Sequence, residues 1–180
     1  MSFVVHEYPG PAIVVMGVSG CGKSLVGELL AARLGAAFAD ADDFHSETNR
    51  EKMAAGIPLT DADRLPWLTR LARWLHTERE RGQRPVLACS SLRRPYRDVL
   101  RSLDDRILFV HLLVPIDVVR VRVRERSDHH FMPESLVDSQ FLALEPLAAD
   151  EPGITVDADV SPSALVDGIL RRLRSADDTQ

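Results

Sequence analysis

The sequence predicts a three-layer α/β domain, a parallel sheet of five strands with helices on both faces. Three observations carry that prediction. Short apolar runs alternate with amphipathic stretches from residue 12 to residue 174, an order that builds parallel strand-helix-strand units. The runs themselves are continuously apolar, as in strands buried on both faces. A length of 180 residues, 45% of them hydrophobic, supports one domain with a real core but not two full ones. No internal repeat, low-complexity tract or interdomain linker divides residues 1–180, so they are read as one domain.

Taken in order, "AIVVMG" (12–17) is the first strand, and Leu25, Val26, Leu29 and Leu30 then share one helical face. "AAFAD" (36–40) is a short second strand ending in acid. A helix is expected over residues 45–55, broken by Gly56 and Pro58. "TDADRLPWLTRLARWLHTERER" opens with capping acids and carries Leu68, Leu71, Ala72 and Leu75 at helical spacing. "PVLACS" (85–90) is the third strand, "RRPYRDVLRSL" a helix, and "ILFVHLLV" (107–114) the fourth strand. "PIDVVRVRVRER" starts a helix with proline in its first turn. A further helix is expected over residues 133–143, and "ITVDAD" (154–159) is the fifth strand. "SPSALVDGILRRLR" closes the chain with a Ser cap and apolar Leu165, Val166, Ile169, Leu170 and Leu173.

Charge narrows the function classes. Against 22 Lys and Arg stand 27 Asp and Glu, a net charge of -5 with a pI near 5.7, which gives no general attraction to nucleic acid or an anionic membrane. No basic, aromatic stripe suggests a nucleic-acid site. No apolar stretch approaches the ~20 residues of a membrane helix, and the N-terminus lacks a secretory pattern. Cys21 and Cys89 are far apart and carry no His or Cys at metal-ligand spacing, so neither a disulfide framework nor a zinc site is expected. A cytoplasmic setting follows as the expectation. Of the 22 basic residues only Lys23 and Lys52 are lysines. A compact ammonium fits a tight phosphate cradle where the wide guanidinium fork does not, although Lys52 also reads as a solvated helix residue.

The strongest motif is "GVSGCGKS", which completes G-x-x-x-x-G-K-[ST] between a predicted strand and a predicted helix. Its residues, Gly17, Val18, Ser19, Gly20, Cys21, Gly22, Lys23 and Ser24, form a nucleotide cradle in which glycines let the backbone wrap around phosphate. Lys23 reaches the β and γ phosphates of ATP, and the Ser24 hydroxyl can ligate Mg2+. Cys21 has no assigned role beyond filling the loop. A short chain of this kind suits phosphoryl transfer to a small molecule better than driving a partner. The third strand ends in hydroxyls, "VLACSS", and the acids follow the second strand instead, as "DADDFH". Asp40, Asp42 and Asp43 thus stand on the rim where the loop opens. A carboxylate there can take the acceptor's proton or hold Mg2+ through water. Asp42 is the chosen base, and one of the three is expected to be a helix cap.

The stretches "FADADDFHSETNREKMAAGIPLTDADRLPWL", "ACSSLRRPYRDVLR" and "FLALEPL", after "VMGVSGCGKS", resemble the gluconokinase family of small P-loop sugar-acid kinases, in matching order along nearly the whole chain. The resemblance implies a three-layer P-loop kinase fold similar to shikimate and nucleoside monophosphate kinases. It also implies ATP-dependent phosphorylation of D-gluconate to 6-phospho-D-gluconate, and a homodimer. The acceptor-binding region would lie at about residues 40–80 and a small lid at about 122–140. A pocket for gluconate needs a cationic clamp for the carboxylate beside groups for the hydroxyls. His45, Lys52, Arg64, Arg93 and Arg97 are the candidate cations, with Asp40 and Asp42 on the hydroxyl side. Arg forks suit a carboxylate bidentately, while Arg64 reads equally as a partner of Asp61 or Asp63. Trp67 is read as helix packing. By similarity to lid arginines of these kinases, Arg122 and Arg126 would close on the phosphates, and residues 157–161 would border adenine. His129 and His130 are adjacent, point apart and have no third ligand, so they are not read as a metal pair.

Overall fold

The computed structural model describes residues 10–125 and 134–177. Its sheet contains β1 (Ala12–Met16), β2 (Phe38–Asp40), β3 (Val86–Ala88), β4 (Ile107–Leu113) and β5 (Gly153–Asp157), in the order β2-β3-β1-β4-β5. Every pairing is parallel, as the expected crossover helices require. All five residues of the central β1 are fully buried. That explains why its sequence is apolar throughout instead of alternating.

The helices are α1 (Lys23–Leu34), α2 (Glu47–Ala54), α3 (Asp61–Glu80), α4 (Arg94–Arg101), α5 (Ile116–Glu125), α6 (Glu134–Ala143) and α7 (Pro162–Asp177). Two cores result. Ile13 and Val15 face Val26 and Leu30 of α1, Val119 of α5 and Ile169 of α7. Val14 and Met16, the alternate residues, face Leu68, Leu71 and Leu75 of α3 and Leu100 of α4. Burying a large aliphatic side chain contributes roughly 1.5–3 kcal/mol, so these two apolar layers hold the helices against the sheet.

The expected helix over residues 45–55 is corrected at its start. Ala41–Phe44 form a 3-10 turn, and α2 begins only at Glu47. Two caps divide the segment: Asp40 accepts from the Asp42 N–H, and Ser46 Oγ accepts from the Asn49 N–H at 3.2 Å. Thr60 and Asp63 form a reciprocal capping box at the start of α3. Parallel strands put all their C-terminal ends on one edge. The loop after β1, the turn after β2 and the segment after β3 therefore share a rim. Arg126, His129 and His130 lie outside the described residues.

Candidate active site

The loop after β1 leads into α1 with its donors open. Gly22, the N-cap of α1, has φ 102° and offers no side-chain cap, so the first-turn N–H groups remain available to an anion. Gly17 adopts φ 145°, and a Cβ there would lie 2.8 Å from Cys21 Sγ and 3.0 Å from the Leu112 carbonyl oxygen. Only glycine fits that close passage. Lys23 Nζ donates to the Val18 carbonyl at 3.0 Å, which folds the ammonium over the first half of the loop. Val18 and Cys21 are buried, and burial pushes the Cys21 thiol up from its usual value despite Lys23 nearby. Cys21 is thus a packed loop residue whose burial disfavours the thiolate.

The acidic strand end meets this loop directly. Ser24 Oγ donates to Asp40 Oδ2 at 2.5 Å, and the other oxygen of Asp40 accepts from the Asp42 N–H at 3.0 Å. Asp40 is therefore the capping acid and faces the nucleotide side. Asp42 follows two residues on, an exposed residue whose carboxyl stands among the rim groups beside Asp40 and Lys23. Desolvation in the crowded rim and then the Asp40 charge raise its pKa, against the pull of Lys23. Trp67 Nε1 donates to the Ala41 carbonyl at 2.8 Å, pinning the turn to α3. Buried Trp67 is packing, and its ring stacks on His45 with centroids 4.4 Å apart and planes 12° from parallel. Partial burial lowers the His45 pKa below its ordinary 6.5, outweighing Asp42. That shift and the stacking on Trp67 disfavour the charged imidazolium, and the imidazole can still bond a hydroxyl.

The remaining cations separate by what holds them. Arg97 is 1% exposed, grips Glu151 at 2.5 and 2.9 Å, and donates to the carbonyls of Ser91, Leu92 and Glu145. Its guanidinium is fully engaged in the interior, so the expectation that it clamps substrate is corrected: it holds the segment after β3. Lys52 Nζ reaches Asp63 at 2.7 Å. That bond and two from Thr60 hold the Asp63 carboxyl at about 2. Arg64 and Arg93 are looser. They sit 3.7 and 3.5 Å from the two oxygens of Asp61, and both guanidiniums lie over the Tyr96 ring, at 5.7 and 5.6 Å. Tyr96 in turn donates to Asp61 at 2.6 Å. Arg93 also faces Glu145 at 3.6 Å, so the two guanidiniums share one ring and are matched by two carboxylates on the rim beside the acidic turn.

Arg122 reaches the Cys21 carbonyl at 3.5 Å and the Ala158 carbonyl at 3.3 Å. It borders a cleft of about 330 Å³ between Gly20, Gly22, Leu25, Val160 and Pro162. That cleft adjoins the segment expected beside adenine.

Two contacts were not legible in the sequence. Gln140 Oε1 accepts from the Ser19 N–H at 2.6 Å. Glu145 lies in "FLALEPL", and its N–H donates to the Leu92 carbonyl while its Oε2 accepts from the Arg94 N–H, each at 2.7 Å. The only local signal was the motif containing Glu145; nothing near Gln140 marks its partner.

An open phosphate loop joined through Ser24 to an acidic strand end, on a five-stranded parallel sheet, defines a P-loop phosphotransferase. The Shikimate kinase family model matches residues 19–174. A probable gluconokinase of Mus musculus is 44% identical over 185 residues, covering 93% of this chain and 100% of that protein. The gluconokinase of Gluconobacter oxydans is 43% identical, with 92% of each chain covered. The crystal structure of a gluconokinase from Sinorhizobium meliloti 1021 superimposes with TM-score 0.85 at 38% identity, over 96% of this chain and 95% of that one. A shikimate kinase from Acinetobacter baumannii shares the fold, at TM-score 0.66 and 21% identity. This chain belongs to the gluconokinase family, a branch of the shikimate kinase fold.

Proposed function

We propose that the chain transfers the γ-phosphoryl group of ATP to the 6-hydroxyl of D-gluconate, giving 6-phospho-D-gluconate and ADP. The observation that carries the site reading is the Ser24–Asp40 bond at 2.5 Å, which joins the phosphate cradle to the acidic rim. Full-length similarity to gluconokinases supports the choice of acceptor.

The loop of residues 17–24 binds the phosphates through backbone N–H groups, and Lys23 spans β and γ. Ser24 and Asp40 offer hard oxygen donors of the kind Mg2+ takes together with substrate phosphates. Mg2+ held by these two residues would supply neutralisation of charge on the nucleotide phosphates. Asp42 accepts the proton of the 6-hydroxyl as its oxygen bonds to the γ phosphorus and the bond to the β–γ bridging oxygen breaks. ADP leaves with that electron pair. Its raised pKa suits a carboxylate that must take up a proton. Arg93 and Arg64 fix the substrate carboxylate, while Lys52 anchors α2 to Asp63 beside it. Arg122 lines the nucleotide cleft, and Arg126 is assigned to the transferring phosphoryl group from the family resemblance. Residues 1–180 act as one kinase domain with a lid at about 122–140, in a cytoplasmic homodimer. Among the described residues no helix is long and apolar enough to cross a membrane.

A coupled ADP-release assay across gluconate, other aldonates, shikimate and nucleoside monophosphates tests this choice. Gluconate is expected to give the highest kcat/KM, and a preference for any other acceptor overturns it. Light scattering tests the dimer, which a monomer mass at working concentration would exclude.

A further inference from the structure

The phosphate loop spends one of its donors on a side chain 121 residues away. Gln140 of α6 places Oε1 2.6 Å from the Ser19 nitrogen and accepts its N–H. Ser19 lies beside Val18, whose carbonyl holds the Lys23 ammonium at 3.0 Å. Since that lysine serves the β and γ phosphates, the Ser19 N–H belongs to the terminal-phosphate end of the loop. A phosphate oxygen arriving there and Gln140 Oε1 are competing acceptors for one donor.

The chemistry of the amide resolves the competition. Glutamine carries an acceptor and two donors on one terminal group. A half-turn of that group withdraws Oε1 and presents Nε2–H to the incoming phosphate oxygen. Glutamate in its place would offer only acceptors and a negative charge. The neighbouring contacts of α6 hold the side chain in range. Asp138 pairs with Arg120 of α5 at 2.7 Å, and Glu145, just beyond the helix, bonds the segment after β3 through Leu92 and Arg94. Gln140 on α6 thus meets the nucleotide loop, while Glu145 just beyond the helix meets the segment that carries Arg93.

We propose that Gln140 contacts the terminal phosphoryl group of ATP: it occupies the Ser19 N–H when no phosphate competes, and donates from Nε2 to the γ-phosphate when ATP is bound. The proposal rests on the kinase reading above and deepens it, because a residue that touches the γ but not the β phosphate distinguishes ATP from ADP.

The test compares the full chain with Gln140→Leu and Gln140→Glu. Calorimetry measures binding of ADP and of a non-hydrolysable ATP analogue, and turnover is followed with gluconate. Losing one donor to the transferring group is expected to lower kcat by ~100-fold in the leucine variant, at the lower edge of what removal of a preorganised donor does. ADP affinity should stay within about twofold of wild type, since each tenfold change needs 1.4 kcal/mol. The glutamate variant should weaken the ATP analogue relative to ADP, and still more as pH rises through its carboxylate range. If both variants keep the wild-type kcat and the wild-type ratio of ADP to ATP-analogue affinity, Gln140 has only a packing role and the proposal fails, whatever happens to the melting temperature. A wild-type chain inactive on gluconate would defeat the acceptor assignment alone, because the nucleotide-binding comparison still reads Gln140.

Discussion

Ser24 and Asp40, 16 residues apart, share a hydrogen bond of 2.5 Å between the first turn of α1 and the end of β2. In the proposed reaction, a hydroxyl and a carboxylate so joined at a phosphate loop would be the protein's oxygen donors toward Mg2+, with nucleotide phosphates and water completing its shell. Asp40→Asn is accordingly expected to raise the Mg2+ concentration needed for half-maximal turnover by ~10-fold or more, in the range seen when an outer partner of a metal site is lost. Nucleotide binding measured without Mg2+ should stay as it was. A magnesium titration unaltered by the substitution would detach Asp40 from the metal.

Asp42→Asn should separate activity from stability. Without a base at that position kcat is expected to fall by ~100-fold or more while nucleotide binding persists. The raised pKa means that the folded state holds the Asp42 proton more tightly than the unfolded chain, whose value is near 3.8. As pH climbs from 3.8 through the folded value, ionisation of Asp42 removes stability, and that loss is complete above the folded value. The asparagine variant should therefore melt at or above the wild-type temperature at pH 7, an advantage that shrinks toward pH 4. A clearly lower melting temperature at pH 7 would assign Asp42 a structural role instead.

Arg93 and Arg97 lie four residues apart and should behave oppositely. Arg93→Gln removes a fork from the rim, and since a hydrogen bond to a charged group is worth about 1.5–3 kcal/mol, the KM for gluconate should rise about tenfold or more. The KM for ATP should hold. An unchanged gluconate KM would move the carboxylate clamp to Arg64 or Lys52.

Glu151→Gln tests the other arginine. It leaves the Arg97 guanidinium buried without its carboxylate, a loss expected to destabilise the fold by about 3 kcal/mol. The Arg97 hydrogen bonds hold the Glu151 carboxyl below its ordinary 4.5. Its stabilisation is thus present above pH 4.5 and disappears as pH falls through the folded value. The variant's melting temperature should be lower at pH 7 and should flatten below pH 4.5 relative to wild type. Equal acid profiles for the two proteins would show that the pair contributes little.

These cases also show what the sequence encodes locally. Strand and helix positions were legible because burial on both faces of β1 demands an apolar run, and because Leu68, Leu71 and Leu75 repeat at helical spacing on α3. The phosphate loop was legible for a similar reason: glycine, lysine and serine must occur at fixed offsets to wrap phosphate. Long-range pairings were not. Whether Arg93 or Arg97 turns inward depends on Glu151, 54 residues beyond Arg97, and no local pattern encodes that partner. Gln140 found Ser19 in the same way, through the packing of α6. The strand order β2-β3-β1-β4-β5 belongs with these, since each apolar run would pair equally well with any other. His45 reads as a cation from its residue type alone, whereas the stacking on Trp67 and loss of solvent that disfavour its charged form come from tertiary packing.

The most direct test of the central claim is the product. Incubation of the full chain with MgATP and D-gluconate, followed by phosphorus NMR, should show one new phosphomonoester coupled to the C6 protons, formed in step with ADP. No gluconate-dependent phosphoester from well-folded protein, or a phosphate on any other hydroxyl, would contradict it.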